Sequence, residues 1–306
     1  MTLVEYKEAI HNFFTYLSVE KNLSTNTQRS YQSDLQLFKE FWKKITEKEI
    51  EEVLFKRALE RYLVTLYYKK IERNSIARKI SCFKSFERFL RKQGTILSLD
   101  MKRPKTEKKL PIYLHVDEII YLLDTVTNDQ LPTKYPLRDK AIFELLYATG
   151  IRCSELCNIM IRDIDFNEKI IRIFGKGRKE RIALFGSKAY DRIKEYLEQE
   201  RFVPPAPDAP LFTSTHKKPL NPRSVQRIIQ MFQPFLKTNK KLTPHKLRHS
   251  FATHLLNQGT NLRVVQELLG HETLASTEKY THVNLKDLID ACNTLHPLSM
   301  KKNEMV

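Results

Sequence analysis

The sequence predicts a mainly α-helical protein of two domains, the second of which contains one small antiparallel β-hairpin. Apolar residues recur at the spacing of amphipathic helices along most of the 306 residues. Strand-like alternation appears clearly only within 165–185. A basic segment with two prolines and little to bury, MKRPKTEKKLP, separates the halves. We therefore expect an all-helical domain over 1–100, a linker over 101–111 and a mixed domain over 112–306.

The first domain is expected to contain four helices. The first ends before the polar residues 20–22, and the second begins in LSTNTQRS, where Thr25 and Gln28 have the spacing of a capping box. The third is expected over 52–70 and the fourth over 74–94, which ends in a glycine. Inward-facing apolar residues of the first, second and fourth helices are Ile10, Phe13, Phe14, Leu17, Tyr31, Leu35, Phe38, Phe41, Ile76, Ile80, Phe83, Phe86 and Leu90.

The outer face of the fourth helix is strongly basic. Its cations are Arg73, Arg78, Lys79, Lys84, Arg88, Arg91 and Lys92. Only Glu72 and Glu87 oppose them. An ordinary solvated face is one interpretation, and a DNA-facing helix is the other; the imbalance of charge favours DNA.

The second domain opens with helical patterns at 115–126 and 137–149, the latter ending at Gly150. Another helix is expected to begin near Ser154, so Arg152 lies at the junction. One interpretation is that Arg152 satisfies carbonyl groups at a helix end. The other is an external ligand, because a cation at a helix N-terminus opposes the helix dipole.

The alternating stretch KIIRIFGKGRKERIALF predicts a hairpin with Gly-Lys-Gly at its turn. Lys176 lies at the tip, where a solvated lysine is the usual finding. The proline-rich segment 203–210 follows and suggests no function, and a helix is then expected over 222–236.

The region after Thr243 is the densest in candidate site residues. Thr243 is predicted to cap a helix that has Pro244 at its first position and stops at Gly259. His245 and Arg248, three residues apart, share one face of its first turns.

A further helix is expected after Asn261 and ends at Gly270, and His271 follows directly. Tyr280 lies nine residues beyond that histidine. The amphipathic stretch 285–295 closes the sequence pattern, and it could pack on its own domain or dock on a neighbouring subunit.

The net charge of +17 favours a polyanionic partner such as nucleic acid. No 18-residue apolar run and no signal peptide is recognisable, so we expect a cytoplasmic protein without a membrane partner. The four cysteines form no CxxC pair, and we expect free thiols rather than a metal site.

The candidate site residues are cationic or neutral: Arg152, Lys176, His245, Arg248, His271 and Tyr280. Two arginines can neutralise a phosphate through fork-like hydrogen bonds. A tyrosine hydroxyl, whose ordinary pKa is about 10, needs a base or nearby cations before it can attack. A lysine could protonate the leaving oxygen. Together they would suit phosphoryl transfer without metal or cofactor, although their spacing alone does not establish it.

Four segments, TGIRCSEL, GKGRKER, PHKLRHSFATHLL and LGHETLASTEKYTHV, resemble the tyrosine recombinase (phage integrase) family. The start LSTNTQRSYQSDLQLF and the basic linker are similar to the bacterial Xer recombinases, so the resemblance covers nearly the whole chain. It implies a SAM-like, core-DNA-binding first domain and a catalytic second domain.

The resemblance also implies a role for each candidate. Arg152 and Arg248 would clamp the phosphate, and Lys176 would protonate the 5′-oxygen. His245 would handle a proton near the nucleophile. His271 would donate a hydrogen bond to the phosphate.

Tyr280 would be the nucleophile that forms a 3′-phosphotyrosyl bond. His249 and His254 match no catalytic position and are expected to be structural or surface residues. Lys279, which precedes the nucleophile, faces solvent or DNA in the simplest interpretation.

The function implied by the resemblance is site-specific recombination that resolves chromosome dimers at cell division. Implied partners are a double-stranded recombination site, a paralogous recombinase in a two-plus-two heterotetramer, and a DNA translocase of the division septum. Alternatives are a mobile-element integrase, a type IB-like topoisomerase and a non-catalytic DNA-binding protein. We expect a housekeeping resolver, because no extra arm-binding domain precedes the first helix.

Overall fold

The computed structural model describes residues 1–270 except 22, 49–52, 96–97, 103, 105–112, 175–179, 202–205 and 239, together with Pro297. The chain divides into two compact units, Met1–Leu110 and Pro111–Val306. Each unit has its own hydrophobic core. None of the helices in these described stretches combines the length and apolar character needed to cross a lipid bilayer.

The described part of the first unit is helical, with α1 at Leu3–Val19, α2 at Thr25–Thr46, α3 at Phe55–Tyr68 and α4 at Arg73–Lys92. Its core is rich in aromatic residues. The Tyr6 ring lies 5.5 Å from Phe38, 5.5 Å from Phe55 and 5.6 Å from Phe86, measured between ring centroids. These are favourable distances for aromatic pairs, so rings from all four helices interlock.

Two local predictions for this unit were wrong. The N-cap of α2 is Ser24 and not Thr25, since Ser24 Oγ accepts a hydrogen bond from the amide of Thr27 at 3.3 Å. Gln28 Nε2 instead donates to the carbonyl of Leu23 at 2.9 Å. The third helix is also shorter at both ends than the predicted 52–70.

The basic face of α4 also needs one correction. Lys79 is buried, and its Nζ lies 2.8 Å from Oδ1 of Asp34, a fully buried carboxylate on α2. Arg78 pairs with the other oxygen of Asp34. Because a buried carboxylate needs a partner of opposite charge, Lys79 stabilises the interior and does not belong to the exposed face. Arg73, Arg78, Arg88, Arg91 and Lys92 are exposed.

The second unit is mixed. Its helices are α5 at Val116–Ile120, continued by a π-helical turn at Tyr121–Thr125, then α6 at Pro136–Thr149, α7 at Cys153–Cys157, α8 at Ser187–Gln199, α9 at Pro222–Met231, α10 at Pro244–Asn257 and α11 at Leu262–Leu269. The strands are β1 at Ile164–Asp165, β2 at Ile170–Phe174 and β3 at Glu180–Leu184. They form one antiparallel sheet in the order β1-β2-β3, with Ile171 opposite Ala183. The predicted fold class, mainly helical with a small antiparallel sheet, is confirmed.

The end of α6 is tightly enclosed. Gly150 follows α6 with a φ of +59°, as predicted for a helix stop. A Cβ atom at this position would lie 2.5 Å from Cδ1 of Phe251 on α10 and 3.0 Å from Cδ2 of Leu269 on α11. The absence of a side chain therefore lets three helices meet, and Arg152 lies two residues further along the chain.

We expect Gly150→Ala to lower the free energy of unfolding by about 2–5 kcal/mol, from the left-handed backbone and the forced overlap together. Gly259→Ala is the matched control, because Gly259 has a φ of +86° but nothing within 4 Å of its Cβ position. The control should lose only the backbone part, about 1–2 kcal/mol. Equal losses in chemical denaturation would show that the overlap with Phe251 is relieved.

Candidate active site

The C-terminal end of α11 accepts hydrogen bonds from three arginine side chains. The carbonyl groups of residues 268–270 each receive one. Arg181 Nη1 lies 3.1 Å from the first, Arg248 Nη2 2.7 Å from the second and Arg152 Nη2 3.2 Å from the third. The last carbonyls of a helix have no intrahelical partner and carry its partial negative charge, which suits guanidinium groups.

Arg152 is held by Glu155, the third residue of α7. Its backbone amide donates to Oε2 of Glu155 at 2.8 Å, and Nη1 donates to Oε1 at 2.8 Å. The carboxylate therefore caps the helix and orients the side chain, which explains a cation at a helix N-terminus. The Arg152 side chain remains 45% exposed. Its bond to a helix-end carbonyl confirms the first interpretation of this residue, and its exposure leaves the second, an external ligand, as a prediction.

Arg248 lies on α10 and is buried. Its Nη1 donates to the carbonyl of Gly150 at 2.6 Å, which ties the end of α6 to the end of α11. Burial is the main reason that the pKa of Arg248 falls to about 10, and the neighbouring Arg152 lowers it further while Glu155 opposes this. The guanidinium therefore remains protonated at neutral pH.

Arg181 on β3 completes the cluster, and the sequence did not single it out. Its Nη2 donates to Oε2 of Glu155 at 2.7 Å. Burial raises the pKa of Glu155, but the amide of Arg152 and the two guanidinium groups outweigh it and leave this pKa below 4.5. Arg181 pairs across the sheet with buried Ile173. A cation at an inward position of the strand was the available signal.

His245 lies in the first turn of α10, three residues before Arg248, and is exposed. Thr243 caps this helix as predicted, since its Oγ1 accepts a hydrogen bond from the amide of Lys246 at 3.2 Å. His254, from the same helix, is buried with Nδ1 2.8 Å from the hydroxyl of Tyr147 on α6. It therefore joins two helices, which agrees with the structural role expected for it.

Three of the six candidates, Lys176, His271 and Tyr280, lie outside the described residues, as does the stretch 285–295. Lys176 belongs to the segment between β2 and β3, and His271 follows Gly270 in the chain. Of the described candidates, the structure brings Arg152 and Arg248 together at the end of α11.

The cluster has an excess of positive charge. Among the described residues, three guanidinium groups bond the end of α11, Glu155 is the carboxylate that pairs with them, and Glu267 acts on Arg181 through its charge without an ion pair. Both oxygens of the Glu155 carboxylate are already engaged by arginine groups. No group of three or more potential metal-ligating side chains occurs in the part of the chain that the structure describes. This charge and the exposed Arg152 suit the binding of an oxyanion such as phosphate.

Comparison with known proteins places this chain in a family. The model of the phage integrase family matches residues 113–287, and that of the phage integrase N-terminal SAM-like domain matches 10–94. Tyrosine recombinase XerC of Halalkalibacterium halodurans is 38% identical over 303 residues, covering 96% of this chain and 99% of that protein. XerC of Staphylococcus aureus is 39% identical over 296 residues, with coverages of 95% and 97%.

A solved structure shares the fold. The XerH site-specific recombinase, bound to its difH substrate in a pre-cleavage complex, aligns with a TM-score of 0.66 and 22% identity. The alignment covers 80% of this chain and 74% of that one.

The charge of Glu155 should contribute to stability in a pH-dependent way. Because its folded pKa lies below 4.5, the contribution is complete above that pH and is lost as the pH falls through the folded pKa. We expect Glu155→Gln to lower the free energy of unfolding by about 1–3 kcal/mol near neutral pH, with a difference from wild type that narrows in acid. Denaturation across pH measures this, with exposed Glu180→Gln as the control. A difference that stays constant would contradict the assignment.

Proposed function

This chain belongs to the phage integrase family of tyrosine recombinases, and we propose from that premise that it cuts and rejoins DNA at specific sites. The observation that carries the proposal is the convergence of Arg152 and Arg248 on the end of α11. Preorganised guanidinium donors stabilise the negative charge that develops on a phosphate during strand transfer. The family match extends from residue 113 to 287 and so includes every candidate site residue.

In the proposed reaction, the hydroxyl oxygen of Tyr280 attacks the phosphorus, and His245 handles the proton of that hydroxyl. The bond to the 5′-oxygen breaks, and Lys176 supplies the proton that this oxygen needs to leave as a hydroxyl. His271 donates a hydrogen bond to a non-bridging oxygen. The products are a 3′-phosphotyrosyl bond and a free 5′-hydroxyl, and attack by a second 5′-hydroxyl reverses the step and joins new strands.

We propose that this chemistry proceeds without a metal ion or another cofactor. Arginine side chains can neutralise a phosphate as a divalent cation does. The donor set supports this, because Arg248 is fixed by two carbonyl groups and Glu155 is engaged by Arg152 and Arg181. We therefore expect strand cleavage to be undiminished when a chelator removes metal ions.

The proposed DNA partner is a double-stranded recombination site. The net charge of +17 and the exposed cations of α4 support binding to phosphates. The similarity to XerC proteins supports a finer proposal, resolution of chromosome dimers at cell division in the cytoplasm. In this proposal, the active assembly contains two copies of this chain and two of a paralogue, and a DNA translocase of the division septum acts on it.

Incubation with a nicked recombination-site duplex should trap a covalent protein–DNA complex, and Tyr280→Phe should abolish it because phenylalanine has no nucleophilic oxygen. Gel electrophoresis under denaturing conditions detects the complex. Tyr121→Phe, which changes a partly exposed tyrosine on the π-helical turn, should leave its yield unchanged. A complex that persists with Tyr280→Phe would refute the nucleophile.

Assays of the wild-type protein distinguish the alternative functions. A plasmid with two directly repeated sites should yield two circles, with the paralogue present, if the chain is a recombinase. Relaxation of supercoiled DNA without a specific site would indicate a type IB-like topoisomerase. Specific binding without any covalent complex would indicate a non-catalytic DNA-binding protein.

Arg152→Ala should reduce the single-turnover cleavage rate on the order of 10²–10³-fold, because a preorganised donor to the phosphate is lost. Affinity for the uncut site should change little, since contacts to other phosphates remain. Arg162→Ala, which removes an exposed arginine paired with Asp208, is the matched control. A cleavage rate of Arg152→Ala equal to that of the wild type would show that Arg152 does not belong to the phosphate clamp.

A further inference from the structure

Arg181 is bound at both ends of its guanidinium group and is little exposed. Nη1 donates to the carbonyl of Leu268 at 3.1 Å, and Nη2 donates to Glu155 at 2.7 Å. The side chain also lies against the backbone of Gly270, where a Cβ atom would come within 2.5 Å of Nε. Both terminal nitrogens thus have partners within the protein, and the side chain is 14% exposed against 45% for Arg152, so Arg181 is placed to hold other groups.

The two groups that Arg181 contacts are those that position Arg152. Glu155 bonds Arg152 through its backbone amide and Nη1, and the end of α11 accepts from Nη2. Arg181 therefore joins strand β3 to both supports of Arg152. In the chain it follows Lys176 by five residues, so the strand that it anchors leads directly from the segment that contains that lysine.

Glu155 depends on Arg181 for its charge balance. Its Oε2 accepts from the amide of Arg152 and from Nη2 of Arg181, and the side chain is only 5% exposed. Loss of Arg181 would leave a buried carboxylate oxygen with one donor fewer, which is costly. The carboxylate would then be free to reorient, and its hydrogen bonds to the amide and Nη1 of Arg152 would no longer fix that side chain in its present position.

We propose that Arg181 is a positioning residue for the phosphate clamp, which acts by holding Glu155 and the end of α11 so that Arg152 stays directed toward the phosphate. This inference rests on the proposed recombinase function. It assigns to Arg181 an effect on the cleavage step and none on the affinity for uncut DNA.

The main experiment compares Arg181→Gln and Arg181→Lys in single-turnover cleavage of the nicked site at saturating protein. Arg181→Gln should lose about 10²-fold in rate, because misplacement of a catalytic group by about 1 Å has this effect. Arg181→Lys should recover part of the loss, since one ammonium keeps the charge but cannot reproduce the fork. Affinity for the uncut site should be unchanged.

Arg192→Gln is the matched control for a purely structural effect. Arg192 is 19% exposed, donates from Nε to Glu144 at 2.9 Å and from Nη2 to the carbonyl of Leu123 at 2.8 Å. It thus joins a buried carboxylate to a backbone carbonyl, as Arg181 does, but away from the cluster. Its substitution should lower stability without a selective loss of cleavage rate. Similar cleavage losses in Arg181→Gln and Arg192→Gln would overturn the proposal.

The path through Glu155 is tested by a double-mutant cycle. If Arg181 acts through this carboxylate, Arg181→Gln combined with Glu155→Gln should cost little more than Glu155→Gln alone. If the rate loss of the double variant equals the product of the two single losses, Arg181 does not act through Glu155.

Hydrogen exchange decides the positioning role even if the wild type forms no covalent complex, a result that would refute the proposed function. Without DNA, Arg181→Gln should accelerate amide exchange in 153–157 and 262–270, and Arg192→Gln should not. Unchanged exchange in these two segments would overturn the positioning role whatever the activity.

Discussion

The described site depends on the hydrogen bonds that arginine side chains donate to the last carbonyl groups of α11. These groups, at residues 268–270, hold three guanidinium groups that reach them from β3, from α10 and from the residue that precedes α7. These carbonyls would otherwise lack partners, and the guanidinium groups would otherwise repel one another without compensation. Because carbonyl dipoles and, among the described residues, the carboxylates of Glu155 and Glu267 provide the balance, the three guanidinium groups keep an excess of positive charge that is available to an anion. If three carboxylates accepted these hydrogen bonds in place of the three carbonyl groups, the positive charge of the cluster would be neutralised.

Two glycines allow this convergence. Gly150 and Gly270 both end helices in the left-handed conformation, with φ of +59° and +62°. A side chain at the first would overlap Phe251, and one at the second would overlap the side chain of Arg181. Each of these two positions therefore requires both a left-handed backbone and the absence of a side chain. Helix termination, core packing and the placement of the arginines are therefore not independent properties in this domain.

Much of this could be predicted from the sequence, because helix limits depend on neighbours in the chain. The cap at Thr243 and the stops at Gly150 and Gly270 follow from local rules. The ion-pair partners of Lys79 and Arg181 could not be predicted in this way. Their carboxylate partners lie 45 and 26 residues away, and only the packed fold brings them together.

The N-cap of α2 shows a limit of another kind. Ser24 and Thr25 both offer a hydroxyl, and local patterns do not decide between adjacent candidates. The chain adopts helical geometry from Thr25 onward, which leaves Ser24 as the residue whose side chain can reach the free amide of Thr27. For Arg152, by contrast, local patterns left two interpretations open. The structure confirms the bond to a helix-end carbonyl, and the half-exposed guanidinium is compatible with the external anion that we propose.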